Sequence, residues 1–210
     1  HILPIYATSS YDFEDIGQGI DIFSGKESGH TYSRYGNPTA EATASKIAAL
    51  ETYGSSITAS AVMTNSGMSA IHVLVSALLK SGDKMLTQPN IYGGTIELFR
   101  QMSKSWGIEI VYADLGKTEE VDILLKGDPA IKLVYLETPA NPTLACIDIE
   151  ALARVTSLHN RYSAIDNTFA TPYLQQPLLL GVDFVIHSTT KFINGHGNSI
   201  AGVVIGKDAE

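Results

Sequence analysis

From residue 61 onward the chain alternates short apolar runs with amphipathic stretches, and that alternation admits few folds. Strands are predicted at 61–64, 84–88, 109–113, 132–137, 163–166, 184–187 and 201–205, and helices at 38–53, 68–80, 95–106, 119–126 and 149–160. In the second of these helices Ile71, Leu74, Val75 and Leu78 share one face, and in the last Leu152, Val155 and Leu158 do. Continuous apolar strands separated by such helices mean a mostly parallel sheet buried on both faces. The expected fold class is therefore α/β. A chain of 210 residues accommodates one such domain and hardly two.

Residues 1–37 read differently, as an irregular arm with Gly17, Gly19, Gly25 and Gly29 and no sustained period. A stretch this long is not an ordinary loop of a compact domain, so it either wraps a partner or belongs to a function. The first six residues lack the basic flank and apolar core of a secretion signal, and a start at His1 points to a missing natural N-terminus. No apolar run reaches bilayer length, so a membrane protein is not expected. A net charge of -8 argues against nucleic acid, whose phosphates it would repel. Cys146, the single cysteine, cannot form an internal disulfide or a multi-thiolate metal site, and fits a reducing compartment. The six histidines show no helical metal-ligand spacing, so no metal site is expected.

In open parallel sheets ligands lie beyond the carboxyl ends of the strands, so the residues there are read for chemistry. Ser66-Gly67-Met68 leads from a strand into a helix. It fits a plain tight turn, or a phosphate cradle built from free N–H groups at the helix start. Ser188 and Thr190 bracket Lys191 and offer hydroxyl donors to the same anion. Lys191 fits a solvated loop lysine, or an amine that burial makes nucleophilic towards an aldehyde cofactor. Asp166 fits a cap, or a carboxylate that keeps a pyridine nitrogen protonated. Tyr92-Gly93-Gly94-Thr95 fits a turn, or an aromatic face over a flat ring. Asn141 fits a turn, or a donor to a ring oxygen. Each feature alone reads as structural; their conjunction at strand ends carries the case.

The ordered motifs Tyr32-Ser33-Arg34, Asn37-Pro38-Thr39, Ser66-Gly67-Met68, Tyr92-Gly93-Gly94-Thr95, Glu137-Thr138-Pro139-Ala140-Asn141-Pro142, Asp166-Asn167-Thr168 and His187-Ser188-Thr189-Thr190-Lys191 carry a family resemblance. The chain resembles the Cys/Met-metabolism pyridoxal-phosphate enzymes of fold type I, which include cystathionine γ-synthase, methionine γ-lyase and O-acetylhomoserine sulfhydrylase. The resemblance runs from about residue 3 to 206. It implies pyridoxal 5'-phosphate as cofactor, held as a Schiff base by Lys191, which also moves protons between substrate carbons. It implies that Asp166 pairs with the pyridine nitrogen and that Tyr92 stacks on the ring and assists departure of the leaving group. Gly67, Met68, Ser188 and Thr190 would bind the phosphate, with Asn141 and Thr168 among the other cofactor contacts. Tyr32 and Arg34 would reach the phosphate of a neighbouring subunit, which gives the arm its purpose.

The resemblance further implies a cytoplasmic homo-oligomer with shared sites, a tetramer built as a dimer of dimers, acting on a small amino-acid substrate. The implied reaction is γ-elimination or γ-replacement on sulfur amino acids or homoserine esters, of methionine γ-lyase or O-acetylhomoserine sulfhydrylase type. Cystathionine γ-synthase or γ-lyase activity, or a non-catalytic cofactor-binding fragment, are the alternatives. A dinucleotide-binding reading is weaker, because no Gly-x-Gly-x-x-Gly follows the first strand. Two departures stand out: Gly94 where methionine γ-lyases carry Cys, and Thr189 where Ala is common. Family members are close to twice this length. The expected organisation is thus an arm at 1–37 and a cofactor-binding domain at 38–210, with the C-terminal substrate domain outside the chain.

Overall fold

The computed structural model describes residues 3–208; the first two residues of the expected arm, and the last two of the chain, lie outside the described residues. The elements in chain order are α1 (Ile16–Phe23), α2 (Pro38–Glu51), β1 (Ala59–Thr64), α3 (Gly67–Leu78), β2 (Lys84–Thr87), α4 (Gly93–Trp106) and β3 (Glu109–Tyr112). They continue with α5 (Thr118–Gly127), β4 (Ile131–Glu137), α6 (Ile149–Leu158), β5 (Tyr162–Asp166), α7 (Thr171–Leu174), a 3-10 turn (Pro177–Leu180), β6 (Phe184–His187) and β7 (Gly202–Lys207).

Local chemistry sets the helix ends. Asn37, Ser66 and Asp148 cap α2, α3 and α6 by accepting from the N–H groups of Thr39, Ser69 and Ala151, and Pro38 sits at the first turn of α2, where its missing N–H costs nothing. Gly107 ends α4 in the left-handed region, at φ 68°, which a side chain would resist.

The seven strands form one sheet in the order β1-β7-β6-β5-β4-β2-β3. Every pairing is parallel except those of β7, which runs antiparallel to both β1 and β6. Mostly parallel is therefore what the sheet is. The central strands are buried on both sides: β4 keeps six of its seven residues fully buried, as its apolar run requires. The edge strands β1 and β3 are half exposed, with Val62 in the open.

Two apolar clusters sandwich the sheet. One joins Ile47 and Ala48 of α2 to Val121 and Leu125 of α5, Leu152 of α6 and Ile165 and Val185 of the sheet. The other joins Ile71 and Leu74 of α3 to Phe99 and Met102 of α4 and Leu133 and Ile186. Helices thus cover both faces, which frees only the carboxyl edge of the parallel strands for a ligand.

Two expectations need correction. The arm is not irregular throughout, since it contains α1. Asp15 caps that helix by accepting from the Gln18 N–H, and Ile16, Ile20 and Phe23 recur at helical spacing despite Gly17 and Gly19. The segment between β5 and β6 also carries structure that the sequence reading passed over: α7 and the 3-10 turn, both opened by prolines.

Candidate active site

One cavity of about 340 Å³ opens at the carboxyl edge of the sheet, in the size range of small-molecule sites. The turn after β1 supplies Gly67 and Met68; the turn before α4 supplies Tyr92; the loop after β4 supplies Asn141. The turn after β5 supplies Asp166 and Thr168, and the turn after β6 supplies Ser188, Thr190 and Lys191. Nine residues singled out in the sequence, from five separate turns, therefore line one space.

Gly67 is where the turns meet. A β-carbon there would lie 2.6 Å from the Ser188 Cβ and 2.9 Å from its Cα, so only glycine lets the α3 N-terminus approach the β6 turn. Gly67→Ala is expected to cost about 1–3 kcal/mol of stability by overpacking. It is also expected to weaken cofactor uptake, which thermal melts with and without pyridoxal phosphate separate.

Asp166 ends β5 half-buried, with one carboxylate oxygen accepting from the Thr168 N–H at 3.0 Å. Burial pushes its carboxyl above the ordinary value, against the hydrogen bonds from Thr168 and the nearby His187, which pull it down. The Thr168 hydroxyl accepts in turn from the Ser188 N–H at 2.8 Å, tying the β5 and β6 turns together. Tyr92 is 48% exposed at the cavity mouth, its ring free to cover a ligand. Gly94 lies beneath that ring: a β-carbon there would meet the Tyr92 Cε1 at 2.5 Å. Gly94→Cys is accordingly expected to displace the Tyr92 ring, and a changed near-ultraviolet dichroism of the cofactor-bound protein is its measure.

Two side chains behave differently from expectation. Lys191 is exposed within this chain, so the described residues do not supply the burial expected to activate its amine. The Thr190 hydroxyl is not a free donor, because it donates to the Ala201 carbonyl at 3.0 Å and accepts from the Ala201 N–H at 3.1 Å.

Glu137 is the site residue that sequence reasoning missed. It is 5% exposed and lines the cavity from the end of β4. Its carboxylate accepts from the Tyr92 N–H at 3.0 Å and the Asn141 N–H at 2.6 Å, clamping both turns. Helix α4 has no side-chain cap of its own, so Glu137 fills that role from across the sheet. Desolvation pushes its carboxyl from 4.5 up to about 7, although the two N–H donors hold it down and the Asp166 charge adds to the rise. Between those values the folded protein binds the proton more tightly than the unfolded chain. Stability therefore falls as pH rises from about 4.5 to about 7, by on the order of 3 kcal/mol from this group. Glu137→Gln is expected to flatten that slope of the pH–stability curve. The signal in the sequence was available, as an acidic residue closing an otherwise apolar strand.

Tyr32 and Arg34 are not at this cavity. They line a separate open groove with Tyr6, Ala7, Thr8 and Ser9, where the Arg34 guanidinium stacks 4.9 Å from the Tyr32 ring centre and 5.2 Å from that of Tyr35. Among the described residues no group of His, Cys, Asp and Glu is placed to hold a metal ion.

An amine, a carboxylate, an aromatic face and a helix start around one cavity on an α/β sheet define a domain built for an aldehyde-bearing, phosphorylated cofactor. All 210 residues match one family, described as Cys/Met metabolism PLP-dependent enzyme, and the chain belongs to it. It is 45% identical to an L-methionine gamma-lyase of Fusobacterium nucleatum subsp. polymorphum, over 97% of this chain and 50% of that protein. It is 43% identical to an O-succinylhomoserine sulfhydrylase of Pseudomonas aeruginosa, over 97% of this chain and 49% of that protein. A solved Campylobacter jejuni structure containing N'-pyridoxyl-lysine-5'-monophosphate superimposes with a TM-score of 0.88 at 32% identity, over 98% of this chain and 49% of that one. The chain thus spans about half the length of the relatives it matches.

Proposed function

We propose that this chain is the cofactor-binding part of an enzyme performing γ-elimination or γ-replacement on sulfur amino acids or homoserine esters. The observation that carries the reading is the convergence of Lys191, Asp166 and the Gly67 turn on one cavity in a chain of this family. When bound, pyridoxal phosphate supplies an electron-accepting ring that stabilises negative charge on substrate carbons. The residues of the chain would hold and use it. Lys191 would carry the cofactor, and its amine would take a proton from the α carbon of the substrate and return it elsewhere. Asp166 would pair with the ring nitrogen and keep it protonated. Tyr92 would cover the ring and assist departure of the γ-substituent, and Asn141 would donate to a ring oxygen. The N–H groups of Gly67 and Met68 would hold the phosphate with the Ser188 hydroxyl, and Thr190 would join them by turning its hydroxyl proton from the Ala201 carbonyl to the phosphate.

The reading extends to an arm at 1–37, a cofactor domain from residue 38 and a homotetramer in the cytoplasm. Its support is that Ile16, Ile20 and Phe23 of α1 present an apolar stripe to solvent, while Arg34 stands in a groove away from its own chain's cavity. Shared sites give a sharp test. Mixing inactive Arg34→Ala subunits with inactive Lys191→Ala subunits is expected to restore activity, because some mixed sites regain both residues; no recovery would count against sharing.

Elimination and replacement are separated by products. The full protein carrying this chain, given O-acetylhomoserine with sulfide, or methionine alone, yields homocysteine in the first case for a replacement enzyme. It yields an oxo acid, ammonia and methanethiol in the second for a lyase. Neither set of products would overturn the assignment.

A further inference from the structure

Glu51, the last residue of α2, is fully buried beneath the strand ends, and nothing in the proposed reaction uses it. Burying a carboxylate costs several kcal/mol unless it is paired, and an apolar residue packs there more cheaply. It is paired. One oxygen, Oε1, accepts from His187 Nε2 at 2.6 Å and from Asn167 Nδ2 at 3.0 Å, both on fully buried residues. Asn167 Nδ2 also donates to the Gln175 carbonyl at 3.1 Å. The Gln175 amide returns bonds to Asn167 Oδ1 at 2.6 Å and to the Thr138 carbonyl at 2.7 Å.

Three members of this network, Asn167, Thr138 and His187, are neighbours in sequence of residues that line the cavity. Asn167 lies between Asp166 and Thr168, Thr138 between Glu137 and Pro139, and His187 precedes Ser188. Each strand end thus sets one residue at the cavity beside one in the network, Asn167 and His187 by their side chains and Thr138 by its main-chain carbonyl. The network therefore grips, from below, the ends of β4, β5 and β6.

We propose that Glu51 and His187, joined through Asn167 and Gln175, are positioning residues that hold Asp166, Glu137 and Ser188 in register for the cofactor. The inference rests on the reading of the cavity as the pyridoxal-phosphate site. Pre-organised polar networks fix geometry where loose packing leaves several arrangements open, and a bound ring gains most from such fixing.

Three variants of the full protein test it, each compared with wild type by far-ultraviolet dichroism, melting without cofactor, affinity for pyridoxal phosphate and visible dichroism of the bound form. Glu51→Gln keeps an oxygen that can accept both bonds, and is expected to bind with affinity and visible dichroism close to wild type. Glu51→Leu and Gln175→Leu sever the network at opposite ends. Both are expected to bind about ten-fold more weakly, the effect of one or two lost hydrogen bonds, with reduced visible dichroism although folded. Gln175 is only half-buried, so Gln175→Leu decides the matter if Glu51→Leu does not fold. Folded Leu variants that melt lower yet bind the cofactor with wild-type affinity and dichroism would show a purely structural network and overturn the proposal. A wild-type protein that takes up no pyridoxal phosphate is a different result, and removes the reading of the cavity as well.

Discussion

Lys191→Ala is expected to abolish the visible absorption band that the wild-type protein shows with pyridoxal phosphate, and to stop turnover. Among the described residues the amine is the only one lining the cavity, so no neighbour there can replace its bond to an aldehyde. Its second proposed task is proton transfer, and loss of a positioned acid–base group alone costs on the order of 10²- to 10⁴-fold. The side chain is exposed at the cavity and the variant removes no core contact, so melting of the cofactor-free protein should be unchanged. An identical visible spectrum in wild type and variant would sink the central assignment.

Asp166→Ala carries the second largest effect. A carboxylate opposite a ring nitrogen stabilises charge that develops during the reaction, and removing one such preorganised group costs on the order of 10²- to 10³-fold in turnover. The fold should survive, because among the described residues the Asp166 side chain bonds only within its own turn, to Thr168, and alanine keeps the backbone ladder. Cofactor affinity and the rate of α-proton exchange with deuterated solvent are the measurements. Normal exchange in the variant would reassign Asp166 to capping the β5 turn.

The strand ends were legible in the sequence because period and composition agree there: the apolar run closing at Glu137 and the one closing at Asp166 each stop where the chain turns polar. Nine of the eleven expected site residues line one cavity for that reason. Helix α1 was not legible, because Gly17 and Gly19 lower helix propensity and hide the Ile16–Ile20–Phe23 stripe that Asp15 caps. Glu137 was quoted inside a motif without a task. Its partners are backbone N–H groups, and that of Tyr92 is 45 residues away, a pairing only the folded sheet creates. The engagement of Thr190 with Ala201 depends on β7 running antiparallel beside β6, which strand composition does not encode. Tyr32 and Arg34 can be tied to the motifs by family likeness, yet a single chain offers them no common cavity.

That antiparallel strand has a mechanical outcome. Residues 191–200 leave β6 and return on β7, and the Ala201 N–H donated to the Thr190 hydroxyl at 3.1 Å, which survives when that hydroxyl turns its proton to a phosphate, rivets the loop where it closes. The Thr190 N–H adds a second bond to the Ala201 carbonyl at 3.2 Å, and Lys191 is held at its root by an N–H donated to the Ser188 carbonyl at 3.1 Å. Its main chain is thus a fixed hinge post, and the amine swings on four methylenes alone. In the proposed role, travel between the carbon it would deprotonate and the carbon it would protonate is then a matter of side-chain torsions. Such rotations take picoseconds to nanoseconds when a side chain is free, so the reach of one lysine, rather than movement of a loop, bounds how far a proton can be carried.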